Sequence, residues 1–110
     1  MITADILRGY TDVILLKQLE NGDSYGYGIS KKVSELSGGC LELKEATLYT
    51  AFKRLENAGF IRSYWGDEGS GARRRYYTLT EAGRERLAEE RNTWNETRQI
   101  LNILIGGNDE

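Results

Sequence analysis

The centre of this 110-residue chain reads KEATLYTAFKRLENAGFIRSYW from Lys44 to Trp65 and, after a glycine-rich segment, RRRYYTLTEAG from Arg73 to Gly83. Its pattern predicts a helix, two strands joined by a long loop, and the start of a second helix. The first helix carries small polar and basic side chains opposite its apolar stripe, and the loop ends in three consecutive arginines. This combination suits a helix that lies in a DNA groove and is held by backbone contacts.

The helix that opens this stretch is predicted over residues 45–58, with Leu48, Phe52 and Leu55 facing the core. Hydroxyl side chains on its other face can reach base edges, and basic side chains there can bind phosphate. Periodicity alone leaves an ordinary solvated helix face equally open. The candidate DNA contacts on this helix and at its start are Lys44, Ala46, Thr47, Tyr49, Thr50, Lys53 and Arg54.

The two predicted strands, residues 60–65 and 75–79, form a hairpin with a long tip. Side chains alternate between the faces of a strand, so the three arginines do not all reach one phosphate. We predict that Arg73 and Arg74 contact the DNA backbone and that Arg75 is partly structural or ion-paired. Charge that merely keeps an exposed hairpin soluble is the alternative, and Asp67 and Glu68 at the tip weaken the electrostatic argument.

The distribution of charge favours the same central region. The formal net charge is −2, which argues mildly against a nucleic-acid partner. Residues 44–77, however, carry 7 bases and 4 acids, whereas residues 1–43 carry 4 and 6 and residues 78–110 carry 4 and 7. The positive charge is therefore concentrated where the predicted helix and hairpin lie.

The N-terminal part of the chain predicts two further helices. One spans residues 4–20 with an unusually wide apolar face, which requires cover on two sides. The next begins at Ser24 or Tyr25 and runs to about Ser37. Its predicted buried stripe consists of Tyr25, Ile29, Val33 and Leu36.

The last helix is predicted to begin after Thr80, a good N-cap residue, and to end near Ile105. Leu87, Trp94 and Leu101 recur at seven-residue intervals along it, a seam typical of helix pairing. The predicted fold class is mainly α (α+β). A winged helix-turn-helix of three helices and a two-stranded hairpin wing occupies residues 1–79, and a dimerisation helix with a frayed tail occupies residues 80–110. A two-fold homodimer would cover the unpaired apolar faces.

Several classes of function find no support in the composition. The chain has no histidine and one cysteine, so histidine catalysis and an internal disulfide are excluded, and most zinc geometries with them. We see no phosphate-binding glycine loop and no nucleophile–base pattern. We therefore expect a protein that is not an enzyme and needs no cofactor. There is no apolar run long enough for a membrane span and no signal-peptide pattern, so we expect a cytoplasmic location.

Four segments carry a family resemblance: SYGYGISKKV at 24–33, LKEATLYTAFKRLENAGFI at 43–61, SYWGDEGSGARRRYYTLTEAGRE at 63–85, and the tryptophan of the last helix. The chain resembles the PadR-type transcriptional regulators, in the short form with a single C-terminal helix. Within that family it looks most like the lactococcal regulator of multidrug resistance. This resemblance implies a dimeric repressor whose C-terminal helices frame a central pore, where Trp94 stacks on small planar aromatic ligands.

The resemblance also implies which other residues lie near that pore. It places Gly9, Asp12 and Val13 beside it, and Arg98 stands about one turn past Trp94, where the relative has an acid. Asp12 would then pair with Arg98 or with a ligand cation; a solvated charge is an equal alternative. Because Arg98 replaces the acid, a preference for cationic drugs does not carry over. Packing at a dimer interface is the alternative role for Trp94.

Two functional classes follow. The first is a ligand-responsive repressor that binds a double-stranded DNA operator as a homodimer and releases it when an effector occupies the pore. The second is a winged-helix module that binds another protein and has no DNA role, which the acidic net charge slightly favours. Salt-dependent binding to the promoter of its own gene separates them, because an adaptor would show none.

Overall fold

The computed structural model describes residues 2–67 and 73–107. Within these residues the helices are α1 Ala4–Leu7, α2 Thr11–Gln18, α3 Gly26–Leu36, α4 Glu45–Asn57 and α5 Glu81–Ile105, and the strands are β1 Ser24–Tyr25, β2 Ile61–Asp67 and β3 Arg73–Leu79. None of the helices described is long and apolar enough to cross a membrane. The order confirms a winged helix-turn-helix followed by a long C-terminal helix.

The core forms where α2, α3 and α4 meet the base of the hairpin. Leu48, Phe52 and Leu55 of α4 are buried as predicted, and the Phe52 ring stacks on Tyr77 of β3 with centroids 3.9 Å apart. Burial of these large apolar side chains is the main favourable contribution to the fold. The core cluster comprises Leu15, Leu16, Leu19, Ile29, Val33, Leu48, Ala51, Phe52, Leu55, Ile61, Tyr77, Leu79 and Leu87.

The prediction of one continuous helix over residues 4–20 is wrong. The chain forms two helices, because Gly9 adopts a φ of +94°, a left-handed conformation that interrupts the helix. The break separates α1, whose Ile6 is 65% exposed, from α2, whose Leu15 and Leu16 are completely buried. The wide apolar pattern therefore belongs to two helices that face different surroundings.

The sheet contains one strand that the sequence did not predict. Residues Ser24–Tyr25 form β1, which pairs antiparallel with β3 opposite Tyr77 and Tyr76. The two-stranded hairpin of β2 and β3 is confirmed, and the sheet order is β1-β3-β2. The predicted start of the second helix falls on these two residues, which instead pair with β3. A two-residue strand is too short to show the alternation by which strands are recognised in a sequence.

Helix α3 keeps most of its predicted stripe. Ile29 and Val33 are buried in the core, whereas Leu36 is 67% exposed, so its predicted burial is wrong. Leu36 is the last residue of α3, where the helix has passed beyond the neighbours that cover Ile29 and Val33. Position in the helix, rather than periodicity, decides its exposure.

A compact junction joins the wing to α5. The Thr80 side chain accepts a hydrogen bond from the Gly83 amide at 2.9 Å and donates one to the Gly59 carbonyl at 2.7 Å, which confirms Thr80 as the N-cap. Leu87 reaches the core from the second turn of α5. Further along α5, Trp94 still packs on Tyr10, whereas Ile100, Leu101 and residues 103–105 are exposed.

Candidate nucleic-acid interface and effector groove

Helix α4 presents the predicted candidate contacts on its open face. All of them are exposed, from Lys44 at the N-cap through Ala46, Thr47, Tyr49, Thr50 and Lys53 to Arg54. The Lys44 side chain makes no N-cap hydrogen bond, so it does not cover the first backbone amides of α4. Ala46, Thr47, Thr50 and Arg54 line a shallow depression of about 300 Å³ together with Thr11 of α2. The structure therefore places this candidate set on one accessible surface.

Tyr49 lies where α4, α3 and the wing meet. Its ring packs edge-on against Phe52 at 5.7 Å, and it is 44% exposed. Its hydroxyl lies at the start of α3, where a Cβ on Gly26 would be only 2.5 Å away. Contacts on two sides thus hold the ring and leave one face for a partner.

The wing arginines are anchored by aromatic rings. The Arg73 guanidinium lies 5.2 Å from the centre of the Trp65 ring, and that of Arg74 lies 4.5 Å from the centre of Tyr25. Stacking on a ring face leaves the planar guanidinium able to donate hydrogen bonds from its edge. Together with Tyr27 and Tyr49, these residues border a depression of about 520 Å³ between the wing and α4.

Arg75 lies 6.0 Å from the centres of the Trp65 and Tyr77 rings and also makes polar contacts within the chain. One of its terminal nitrogens donates to the Ser63 hydroxyl at 2.9 Å and lies 3.5 Å from the Glu56 carboxylate. Ser63 in turn donates to Glu56 at 2.5 Å, so the strand is tied to the last turn of α4. The prediction that Arg75 has a structural, ion-pairing role is confirmed.

An aromatic cluster fixes the wing to the start of α3. The Tyr64 ring stacks on Tyr76 with centroids 5.7 Å apart, and Tyr25 packs edge-on against Tyr76 at 5.5 Å. The Tyr64 hydroxyl donates to Asp23 at 2.6 Å, and this bond raises the pKa of Tyr64. Sequence reasoning missed this cluster, because its members are spread over 53 positions of the chain, from residue 23 to residue 76.

Asp12 does not lie where the sequence suggested. Its carboxylate binds Arg54 of α4 in a bidentate pair, with Arg54 Nε at 3.1 Å from one oxygen and a terminal nitrogen at 2.5 Å from the other. This hydrogen bonding raises the pKa of Arg54. Within the single chain Asp12 therefore pairs with Arg54 and not with Arg98. The Arg98 guanidinium instead donates to Asn95 at 3.4 Å, within its own helix.

A groove of about 420 Å³ runs between α2 and α5, with Trp94 at its edge. Trp94 is 43% exposed and packs edge-on against Tyr10 at 5.7 Å. Val13 lines this groove, whereas Gly9 and Asp12 line a separate depression on the α4 side of the chain. The residues that line the groove are Leu7, Tyr10, Val13, Ile14, Lys17, Gln18, Leu87, Arg91 and Trp94.

The charged residues that line the groove, Lys17 and Arg91, are both basic, and both bind the same acidic residue. Glu20 accepts from Lys17 at 2.7 Å and from Arg91 at 3.1 and 3.3 Å. The hydrogen bonds from Lys17 and Arg91 lower the pKa of Glu20. The ion pair between Glu20 and Arg91 was not predicted, because the two residues are 71 positions apart. One carboxylate facing two bases leaves the rim of the groove positive.

Comparisons with known proteins agree with this architecture. The chain matches the "Transcriptional regulator PadR-like family" over residues 15–89. It superimposes on a transcriptional regulator from Clostridium thermocellum with a TM-score of 0.86 and 41% identity, covering 93% of this chain and 99% of that one. A PadR family transcription regulator from Clostridium difficile gives a TM-score of 0.77 and 38% identity, over 87% and 98% of the two chains.

The similarity extends to a relative bound to DNA. The Bacillus subtilis PadR protein in complex with operator DNA matches with a TM-score of 0.66 and 28% identity, over 76% of this chain and 46% of that one. With the family matched over most of its length, this chain belongs to the PadR-like family of transcriptional regulators. The family resemblance inferred from the central motifs is thereby confirmed.

Proposed function

We propose that this chain is a repressor that binds operator DNA as a homodimer and releases it when a planar aromatic effector occupies the groove. The observation that carries the proposal is the surface around Tyr49, where this residue of α4 and the wing arginines border one depression. The operator complex of the Bacillus subtilis relative supports a DNA partner for this fold.

On this surface the side chains divide by chemistry. Thr47, Tyr49 and Thr50 supply hydroxyl and methyl groups for base edges, and Lys44 and Ala46 flank them at the start of α4. Lys53 and Arg54 follow along the helix and contact phosphates, and Arg73 and Arg74 do the same from the wing. Helix residues thus carry the sequence readout, and the wing carries the backbone contacts.

Homodimer formation would cover the apolar end of α5. Leu101, Ile103, Leu104 and Ile105 are 44–79% exposed in the single chain, which is a costly arrangement in water. Pairing through α5 about a two-fold axis would bury this face and place two α4 helices on one side of the dimer. Such a dimer protects two half-sites whose centres are about 10 bp apart, which footprinting on the operator would show.

Effector binding is assigned to the groove at Trp94. An exposed indole beside Tyr10 offers two aromatic surfaces, and apolar side chains of α2 form the wall opposite. The positive rim formed by Lys17 and Arg91 favours a ring that carries an anionic group over one that carries a cation. Binding shifts DNA affinity only if the effector prefers one arrangement of the protomers.

The direct test of the DNA assignment is a gel-shift titration on the region upstream of its own gene, at several salt concentrations. The Tyr49→Ala substitution is expected to weaken operator binding by about 1–3 kcal/mol, the scale of one specific contact. Leu36→Ala, which changes an exposed side chain at the end of α3 and outside this depression, is the control. Operator affinity that is unchanged in Tyr49→Ala would contradict the assignment. Binding that is absent, or independent of salt, would favour the protein-interaction module instead.

The test of the effector groove uses Trp94 as its own reporter, in a Trp65→Phe background that removes the second indole. We expect acridine-9-carboxylate to quench the emission in a saturable way. The cation 9-aminoacridine should bind at least threefold more weakly, because Lys17 and Arg91 repel it. The variant Arg91→Gln should reduce this difference. Quenching by neither dye would argue against an open groove, and tighter binding of the cation would contradict the assigned charge preference.

A further inference from the structure

The ion pair between Asp12 and Arg54 links α2, which lines the groove, to α4, whose open face is assigned to DNA. Two nitrogens of the Arg54 guanidinium bind the two oxygens of the Asp12 carboxylate, at 3.1 and 2.5 Å. Both side chains remain partly open to solvent, at 54% and 38% exposure. A guanidinium held in this way is neutralised on one edge and can still be approached by a second anion from the other.

The position of Arg54 gives this pair a functional consequence. Thr47, Thr50 and Arg54 follow a spacing of three and then four residues, so they share one face of α4. The depression between the start of α2 and α4 is lined by Thr47, Arg54 and Asp12 with Arg8, Gly9 and Thr11. Asp12 therefore lies at the edge of the surface assigned to DNA, where a carboxylate repels phosphate.

The charges around this depression make Asp12 distinct. Arg8 also lines it, but its guanidinium is bound by Asp5 at 2.6 Å. Asp5 lies on α1 and its ion pair is with a neighbour in sequence, whereas the Asp12 pair spans 42 positions and joins two helices. Among the described residues, Asp12 is the acid that hydrogen-bonds to the α4 surface assigned to DNA.

We propose that Asp12 competes with an operator phosphate for Arg54, so that the chain itself restrains the binding of α4 to operator DNA. In the free protein Arg54 is held by α2. On DNA the Arg54 guanidinium turns toward phosphate. The stronger its bond to Asp12, the less this contact adds to operator affinity. Asp12 is thus a positioning residue that acts through Arg54 without contacting DNA.

Helix α2 connects the effector groove to the competition for Arg54. Asp12 lies on the α4 side of α2, while Val13, Ile14 and Lys17 line the groove on its other side. A ligand that shifts α2 in the groove changes the distance from Asp12 to Arg54. This part of the inference rests on the proposed function, because it requires both an operator and a groove ligand.

The experiment is a double-mutant cycle on operator binding with Asp12→Asn, Arg54→Gln and the double variant. Asp12→Asn is expected to raise affinity about threefold or more at low salt, because Arg54 becomes free for phosphate. The log–log salt slope should steepen by up to about 0.9, because the contact of Arg54 with phosphate is no longer shared with Asp12. In the Arg54→Gln background, the same Asp12→Asn change should leave both quantities unaltered.

Glu90→Gln is the matched control, since it removes the acid of an ion pair with Arg86 that lies within α5, outside this depression. It should not reproduce the change in salt slope. If Asp12→Asn leaves affinity unchanged, lowers it, or acts equally with and without Arg54, the competition is refuted. Rescue of wild-type behaviour by Asp12→Glu would support it, because the longer carboxylate can restore the pair.

A second measurement separates this inference from the proposed function. The fold-loss of operator affinity at saturating acridine-9-carboxylate is compared between the wild type and Asp12→Asn. We expect a smaller fold-loss in the variant. If the wild type binds no operator, the proposed function itself fails. If the wild type binds and responds to the dye and Asp12→Asn responds equally, only the link through Asp12 is rejected.

Discussion

The double variant Arg73→Ala, Arg74→Ala is expected to lose about 100-fold in operator affinity at moderate salt, because two charge-assisted contacts to phosphate disappear from each wing. The log–log salt slope should fall by about 0.9 for each phosphate contact removed. Both guanidinium groups lie against aromatic rings, so each starts from a restricted position and loses little entropy on binding. Gel-shift titrations at four or more salt concentrations measure both effects.

Arg75→Ala is the matched control for this experiment. Arg75 stands next in the same strand, and its guanidinium is engaged by Ser63 and Glu56. We expect this variant to change the salt slope much less than the double variant. A slope unaltered in the double variant, or an equal change in Arg75→Ala, would mean that the wing charge is not specifically arranged for phosphate.

The largest expected effect on stability comes from Gly83→Ala. A Cβ at this position would lie 2.1 Å from the Phe60 carbonyl oxygen and 2.7 Å from a Leu79 methyl group. The carbonyl belongs to backbone that accepts a hydrogen bond from the Thr80 amide, so it has little room to move. We expect the free energy of unfolding to fall by about 3 kcal/mol, as measured by urea denaturation.

Gly22→Ala provides the reference, because a Cβ there meets no atom within 4 Å. Its free energy of unfolding should stay within about 0.5 kcal/mol of the wild type. Gly83 also sets how closely α5 approaches Phe60 and Leu79. A Gly83→Ala protein as stable as Gly22→Ala would show that the junction yields, contrary to the contacts at Phe60 and Thr80.

Strong local patterns explain which elements could be predicted. Helix α4 has Leu48, Phe52 and Leu55 in one stripe and Gly59 after it, and the structure differs from the predicted end by one residue. Thr80 combines a cap hydroxyl with a following helical pattern, and its predicted hydrogen bond is present. Each of these signals lies within one or two helical turns, a distance over which sequence spacing translates directly into geometry.

The predictions that failed concern features that short-range patterns in the sequence do not reveal. Gly9 breaks a pattern that is apolar on both sides of it, so periodicity gave no warning of two helices. The strand Ser24–Tyr25 exists because β3 offers it an edge to pair with, which no local pattern reveals. Asp12 and Arg54 were each assigned to a separate partner, although they bind each other across 42 positions.

From the sequence alone one could determine the family, the winged helix and the exposed face of α4, because these depend on residue type and short spacing. Only the tertiary structure decided which charges pair, which aromatic rings hold Arg73 and Arg74, and on which side of α2 Asp12 lies. Those contacts depend on how helices and strands approach one another in space. That approach is settled by packing of the whole core rather than by any one segment.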